Sequence, residues 1–150
     1  MRAETAKICA ALLGLVVCAA AQDVAPAILG AKPPVLLAFG CFAGVPTAIA
    51  SGLFVDALGG MPFGCSAVFF GLAALAARAA HRSHIAVATA IVMASAGAHQ
   101  IWIAMWGGGD ASTGAVCVSA ACAAVLAPIA RAFVDLARRR IGIDREEVRR

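Results

Sequence analysis

With 150 residues, 63% of them hydrophobic and only 13% charged, the chain is too apolar for a soluble domain, which is about half apolar and a quarter charged. Its mean hydropathy of +0.93 reads as one all-α integral membrane domain over residues 1–137, followed by a charged tail at 138–150. The net charge of +4 gathers at the chain ends and in one internal loop. It reports membrane orientation and excludes a nucleic-acid surface, which needs its cations on a folded soluble face.

Taken in order, Arg2 and Lys7 make a mildly basic start to the apolar run Ile8–Ala21. This run reads as a first helix that Ala3–Ala6 can extend toward the ~20 residues of a full span. Basic start, apolar core and Ala19-Ala20-Ala21 also fit a cleaved signal peptide. Gln22–Pro34 is a loop whose prolines end one helix and open the next. Val35–Val55 is apolar throughout and interrupted at Gly44-Val45-Pro46, so it is either one kinked span or two short helices folded as a hairpin near Pro46.

Cys65–Ala77 forms the next apolar run, ended by the basic segment Arg78–His84. Ile85–Trp106 is a full-length span, Gly107–Asp110 a turn, and Thr113–Leu136 the last span, with Pro128 inside it. The basic segments, namely the N-terminus, Arg78–His84 and the tail, should all face the cytoplasm. That parity requires the 35–55 region to cross twice, which predicts six helices with both termini inside and Lys32 the only Lys or Arg outside.

Tyrosine is absent and aromatics make up 6% of the chain, so packing must rest on close backbone approach. Gly40, Gly44 and Ala48 supply a small-xxx-small surface, for packing within the chain or against another membrane protein. The six cysteines lie singly in apolar runs without a CxxC. They read as small packing residues rather than as metal-transport sites, which favour paired thiols at short spacing.

The stretch Ser51-Gly52-Leu53-Phe54-Val55-Asp56-Ala57-Leu58-Gly59-Gly60-Met61-Pro62-Phe63-Gly64 puts a carboxylate at the end of an apolar run, where it persists only if paired, hydrogen-bonded or functional. Asp56 falls at a helix C-terminus, which disfavours an anion. Pro62 suits the first position of the following helix, and that helix begins with unpaired amides. Asp56 is therefore expected to accept hydrogen bonds from the 57–64 turn and to tie two helices together. The competing reading makes it an extracytoplasmic contact for a partner.

This stretch resembles the signature of the MreD family of rod-shape-determining membrane proteins, carried here by Gly52, Leu53, Asp56, Pro62 and Gly64. Lys32-Pro33-Pro34 resembles the family's proline entry to its second helix, and Leu126-Ala127-Pro128 with Arg138-Arg139-Arg140 its last helix and basic exit. One departure is the connector Ala43–Thr47, uncharged here where the family often has basic residues. The resemblance implies a six-helix bundle similar to the substrate-binding subunits of energy-coupling-factor transporters. It also implies a non-enzymatic scaffold of the cell-elongation complex in the bacterial inner membrane, acting in cell shape and peptidoglycan synthesis. The partners it implies are an MreC-like single-span protein and, more loosely, RodA, a class B transpeptidase and MreB.

No nucleophile elbow, phosphate loop or HExxH occurs in the sequence, and no cofactor or metal is expected. His81-Arg82-Ser83-His84 reads as a solvated basic turn. His99 and Gln100, next to Trp102 and Trp106, read as a buried polar pair behind an interfacial aromatic belt, available for an interhelical hydrogen bond or for a ligand. The alternative function is a small-molecule-binding subunit of a transporter. It would draw on His99, Gln100 and Asp56, and the short loops leave little to form a lid.

Overall fold

A computed structural model describes residues 2–28, 31–59, 61–81, 85–107 and 112–141. Six α-helices occupy them: α1 Arg2–Val24, α2 Val35–Ala43, α3 Val45–Gly59, α4 Cys65–His81, α5 Ile85–Gly107 and α6 Thr113–Ile141. Three are long and apolar enough to cross a membrane, over Thr5–Val24, Ile85–Trp106 and Thr113–Arg139. Those of α3 and α4 are shorter apolar helices, and α2, at nine residues, rises only about 14 Å.

Side-chain size is distributed inside out. The interior is rich in alanine, including Ala48, Ala74, Ala88, Ala96, Ala123 and Ala127, while Leu13, Val16, Leu72, Val125, Ile129 and Phe133 face outward. A soluble monomer rarely exposes contiguous apolar surface beyond a few hundred Å². Hydrocarbon solvates such a surface, and helix association then depends on small residues and close contact.

The helix ends differ from the sequence reading in instructive ways. Helix α1 starts upstream of Ile8 and spans 23 residues. It packs Gly14 against the Phe39 ring of α2, and Gln22 Oε1 accepts the backbone N–H of Leu36 at 3.0 Å. That bond satisfies one of the open amides of α2, which Pro34 precedes without a side-chain cap of its own. Helix α4 continues past Arg78 to His81, and α6 past Leu136 to Ile141. Arg138–Arg140 are thus helical, and the remainder of the charged tail, 142–150, lies outside the described residues, as do 82–84 and Asp110.

The 35–55 region is a hairpin. Its reversal comes at Gly44, with φ 135° and ψ 164°, rather than at Pro46, which sits in the first turn of α3. A Cβ on Gly40 would lie 2.8 Å from Ala48 Cα and 3.1 Å from Ser51 Oγ. In one continuous helix Gly40 and Ser51 would stand about 16 Å apart along the axis, so α2 and α3 are folded onto each other. Gly40 and Ala48 meet inside this hairpin, which leaves neither for a partner protein.

Lys7 of α1, the α2–α3 turn, Arg78 of α4 and Arg131 and Arg138 of α6 border one cavity. Lys7, Arg78 and Arg138, one cation from each basic segment, therefore share one end of the bundle. The uncharged connector obtains its cation from elsewhere: Arg138 Nη2 donates to the carbonyl of Phe42 at 3.2 Å, where the C-terminus of α2 favours positive charge. Lys32 lies apart from this group, 3.3 Å from Asp23 Oδ1 in an exposed pair.

Candidate functional site

The α3–α4 elbow holds the densest polar network among the described residues. Helix α3 reaches α4 with no side chain at Gly52, whose Cβ would collide with the backbone of Ser66 and Ala67. That contact brings the last turn of α3 against the first turn of α4. Asp56, 1% exposed, accepts the N–H of Gly64 on Oδ2 at 2.8 Å. It also accepts the N–H of Ser66 on Oδ1 at 3.0 Å and on Oδ2 at 3.1 Å.

Gly64 immediately precedes α4 and Ser66 is its second residue. Asp56 therefore does from a neighbouring helix what an N-cap side chain does locally. The negative end of α3 costs the carboxylate stability, and the positive end of α4 offsets that cost. The expected bond from the turn is present at Gly64, and the second partner, Ser66, lies beyond it. Pro62 does not open the helix. It stands in the turn, where its carbonyl accepts the N–H of Cys65 at 3.2 Å, and Gly64 takes the preceding position with φ +101°, a conformation that glycine adopts without a Cβ penalty.

His99 extends the network from α5. Its Nε2 is 3.0 Å from Ser66 Oγ, and its ring sits between Phe69 and Phe70, with centroids 5.4 and 4.9 Å away. Asp56, Ser66 and His99 thus join α3, α4 and α5 in one buried line. Gln100 is not part of it. One residue on around α5, its Nε2 donates to Ser119 Oγ of α6 at 3.4 Å, and Ser119 Oγ donates to Ala96 O at 3.2 Å. The polar pair of the sequence therefore serves two different interfaces.

Trp102 packs against Phe69 and Trp106 in tilted arrangements, with centroids at 6.0 and 5.9 Å. Its Nε1 is buried and has no hydrogen-bond partner among the described residues.

A serine beside a histidine invites comparison with a nucleophile and its base. Here Ser66 is fully buried, and Asp56 is committed to backbone amides rather than to the imidazole. The orienting third group of a catalytic triad is not Asp56. Among the described residues no group of three His, Cys, Asp or Glu side chains is placed to hold a metal ion, and the cysteines are free.

Sequence reasoning missed Ser66, Ser119 and Gln22. Ser66 and Ser119 are single hydroxyls inside apolar runs, and Gln22 is a lone amide at the end of one. The signal available was position, since Ser66 falls three residues after the turn-forming Phe63 and Gln22 one turn before Pro26.

Compared with known proteins, the chain matches no family model, no curated protein and no solved structure.

Proposed function

We propose that this chain is a non-enzymatic, multi-pass scaffold of the MreD type in a bacterial inner membrane. Its basic end and both termini face the cytoplasm, and it holds an MreC-like single-span partner of the cell-elongation machinery. The observation that carries the reading is the α3–α4 elbow. The one stretch with a specific resemblance, Gly52 to Gly64, folds into a single unit whose polar groups bond to one another.

Asp56 and His99 are occupied within the bundle, as is Gln100 at the α5–α6 interface. These are the residues a ligand-binding subunit would draw on, so their internal use favours a scaffold. The same unit turns Leu58 and Phe63 outward, 58% and 76% exposed, at the end opposite the arginines. Apolar side chains flanking a hydrogen-bonded turn suit a protein contact.

The test is mild-detergent affinity purification of the tagged chain from its own host, with partners identified by mass spectrometry. A single-span coiled-coil protein with a glycan polymerase or transpeptidase is the expected recovery, reduced by Phe63→Lys. Recovery of an ATPase pair with a coupling membrane subunit would overturn the scaffold in favour of a transport component.

A further inference from the structure

A cavity of about 450 Å³ opens at the basic end of the bundle, within the size range of small-ligand sites. Among the described residues four cationic side chains line it, Lys7, Arg78, Arg131 and Arg138, against one carboxylate, Asp135, which pairs with Arg131 at 3.5 Å. They come from three separate helices, α1, α4 and α6. The inner wall is apolar, built by Phe39, Ala74, Ala77 and Val134.

The cations are not arranged as a simple flank of helix ends. Arg139 is neighbour to Arg138 on α6 yet does not border the cavity. Arg138 is held over it by its bond to Phe42 O. A guanidinium carries five donors, so this one bond leaves Arg138 able to serve an anion as well. Helices α1 and α6 both border the cavity and touch each other little. Phe133 of α6 lines the cavity and is itself 53% exposed, one turn from the outward-facing Leu136 on the same helix.

We propose that this cavity binds the phosphodiester headgroup of an anionic phospholipid, with the acyl chains lying along the outer apolar faces of α1 and α6. Basic pockets between membrane helices on the cytoplasmic side hold such headgroups, and guanidinium groups match phosphate geometry. A free phosphate shares the charge but makes no use of the apolar wall that continues to the lipid-facing surface, and this favours the lipid. The inference needs the chain to sit in a membrane. It does not depend on the scaffold reading, and partner recovery neither supports nor harms it.

The test is native mass spectrometry of the purified full chain in detergent, titrated separately with phosphatidylglycerol, phosphatidylcholine and inorganic phosphate. Phosphatidylglycerol should be retained in preference to phosphatidylcholine. Arg78→Gln should weaken that retention about fivefold, while Arg139→Gln at the same end leaves it unchanged. Asp135→Asn, which removes the lining carboxylate, should strengthen it, and this variant keeps the test decisive if Arg78→Gln misfolds. Equal retention of the two lipids overturns the proposal. So does an equal loss in Arg78→Gln and Arg139→Gln, which would mean diffuse surface attraction. Arg78-dependent retention of inorganic phosphate without a preference for phosphatidylglycerol would replace the lipid with a soluble anion.

Discussion

Asp56 and Ser66 are joined twice: both carboxylate oxygens of Asp56 accept the one backbone N–H of Ser66, at 3.0 and 3.1 Å. The carboxylate belongs to the last turn of α3 and the amide to the first turn of α4, so this bond, with that to Gly64, fixes the angle of the elbow. Gln22 and Leu36 repeat the relationship at the α1–α2 connection, with a side-chain oxygen near the end of α1 capping the second residue of α2. Both short re-entries into the bundle are thus opened by a side chain of the helix before.

Replacing Asp56 separates acceptor from charge. Asp56→Ala leaves two amides without their partner and a void where the carboxylate was. A cap loss of about 1 kcal/mol and the cost of unsatisfied buried donors together predict a loss of about 2–3 kcal/mol. Asp56→Asn keeps the shape and one acceptor oxygen, which in the place of Oδ2 still serves both amides, but its NH2 then faces the Ser66 N–H and the attraction of the anion to the α4 N-terminus is lost, together about 1 kcal/mol. Thermal unfolding in detergent should rank wild type above Asp56→Asn and Asp56→Asn well above Asp56→Ala. Equal midpoints for the two variants would remove the capping role.

Gly52 admits no side chain. A Cβ there meets the backbone of Ser66 and Ala67, and backbone cannot rotate aside as a rotamer can. Gly52→Ala must push α3 from α4 and stretch the Asp56 bonds as it does so. Overpacking of this kind costs about 1–3 kcal/mol and occasionally more, and the coupling to Asp56 places this site at the upper end. Gly71→Ala is the control, because it meets only the side chain of Ile49 at 3.2 Å. Expression and monodispersity should fall for Gly52→Ala and hold for Gly71→Ala.

How far these features were legible follows from their physics. Asp56 stood out because an anion at the end of an apolar run needs a partner, and the turn after it was the nearest source of amides. Pro62 suits a first helical position as well as a turn, so sequence alone does not fix the start of α4, whereas Gly64 with its positive φ sets the boundary. The common end of the basic segments was readable because lysine and arginine report sidedness whatever the fold. Arg138 on Phe42 O was not readable, since the two are 96 residues apart and no local pattern marks a backbone carbonyl. The division of His99 and Gln100 between two interfaces required knowing which helices flank α5.

Ser66 and His99 should behave as a coupled pair. Ser66→Ala leaves His99 Nε2 buried without a partner, and His99→Phe leaves Ser66 Oγ in the same state while keeping an aromatic ring between Phe69 and Phe70. A buried group left unsatisfied costs about 1–3 kcal/mol, whereas removing both partners is close to neutral. The double variant should therefore be more stable than Ser66→Ala alone, with a coupling energy of about 1 kcal/mol from thermal midpoints. Strict additivity would mean that the 3.0 Å contact contributes nothing.

Two glycines of the α2–α3 hairpin should fail for different reasons. At Gly40 the obstacle is contact, since a Cβ would press on Ala48 Cα at 2.8 Å. At Gly44 there is room, because the nearest atom to a Cβ is Pro46 Cδ at 4.0 Å. The obstacle there is the backbone, with φ 135° and ψ 164° in a region open almost only to glycine and costing other residues about 1–3 kcal/mol. Trimming the neighbour should separate the two. Ala48→Gly leaves that Cα in place but removes the Ala48 Cβ, 3.2 Å from the same point, so it should restore a minor part of the stability lost in Gly40→Ala and none of that lost in Gly44→Ala, because strain carried by a residue's own φ and ψ does not depend on what stands opposite. Thermal midpoints of the two single and two double variants measure this, and rescue of Gly44→Ala by Ala48→Gly would show that the turn is held open by packing instead.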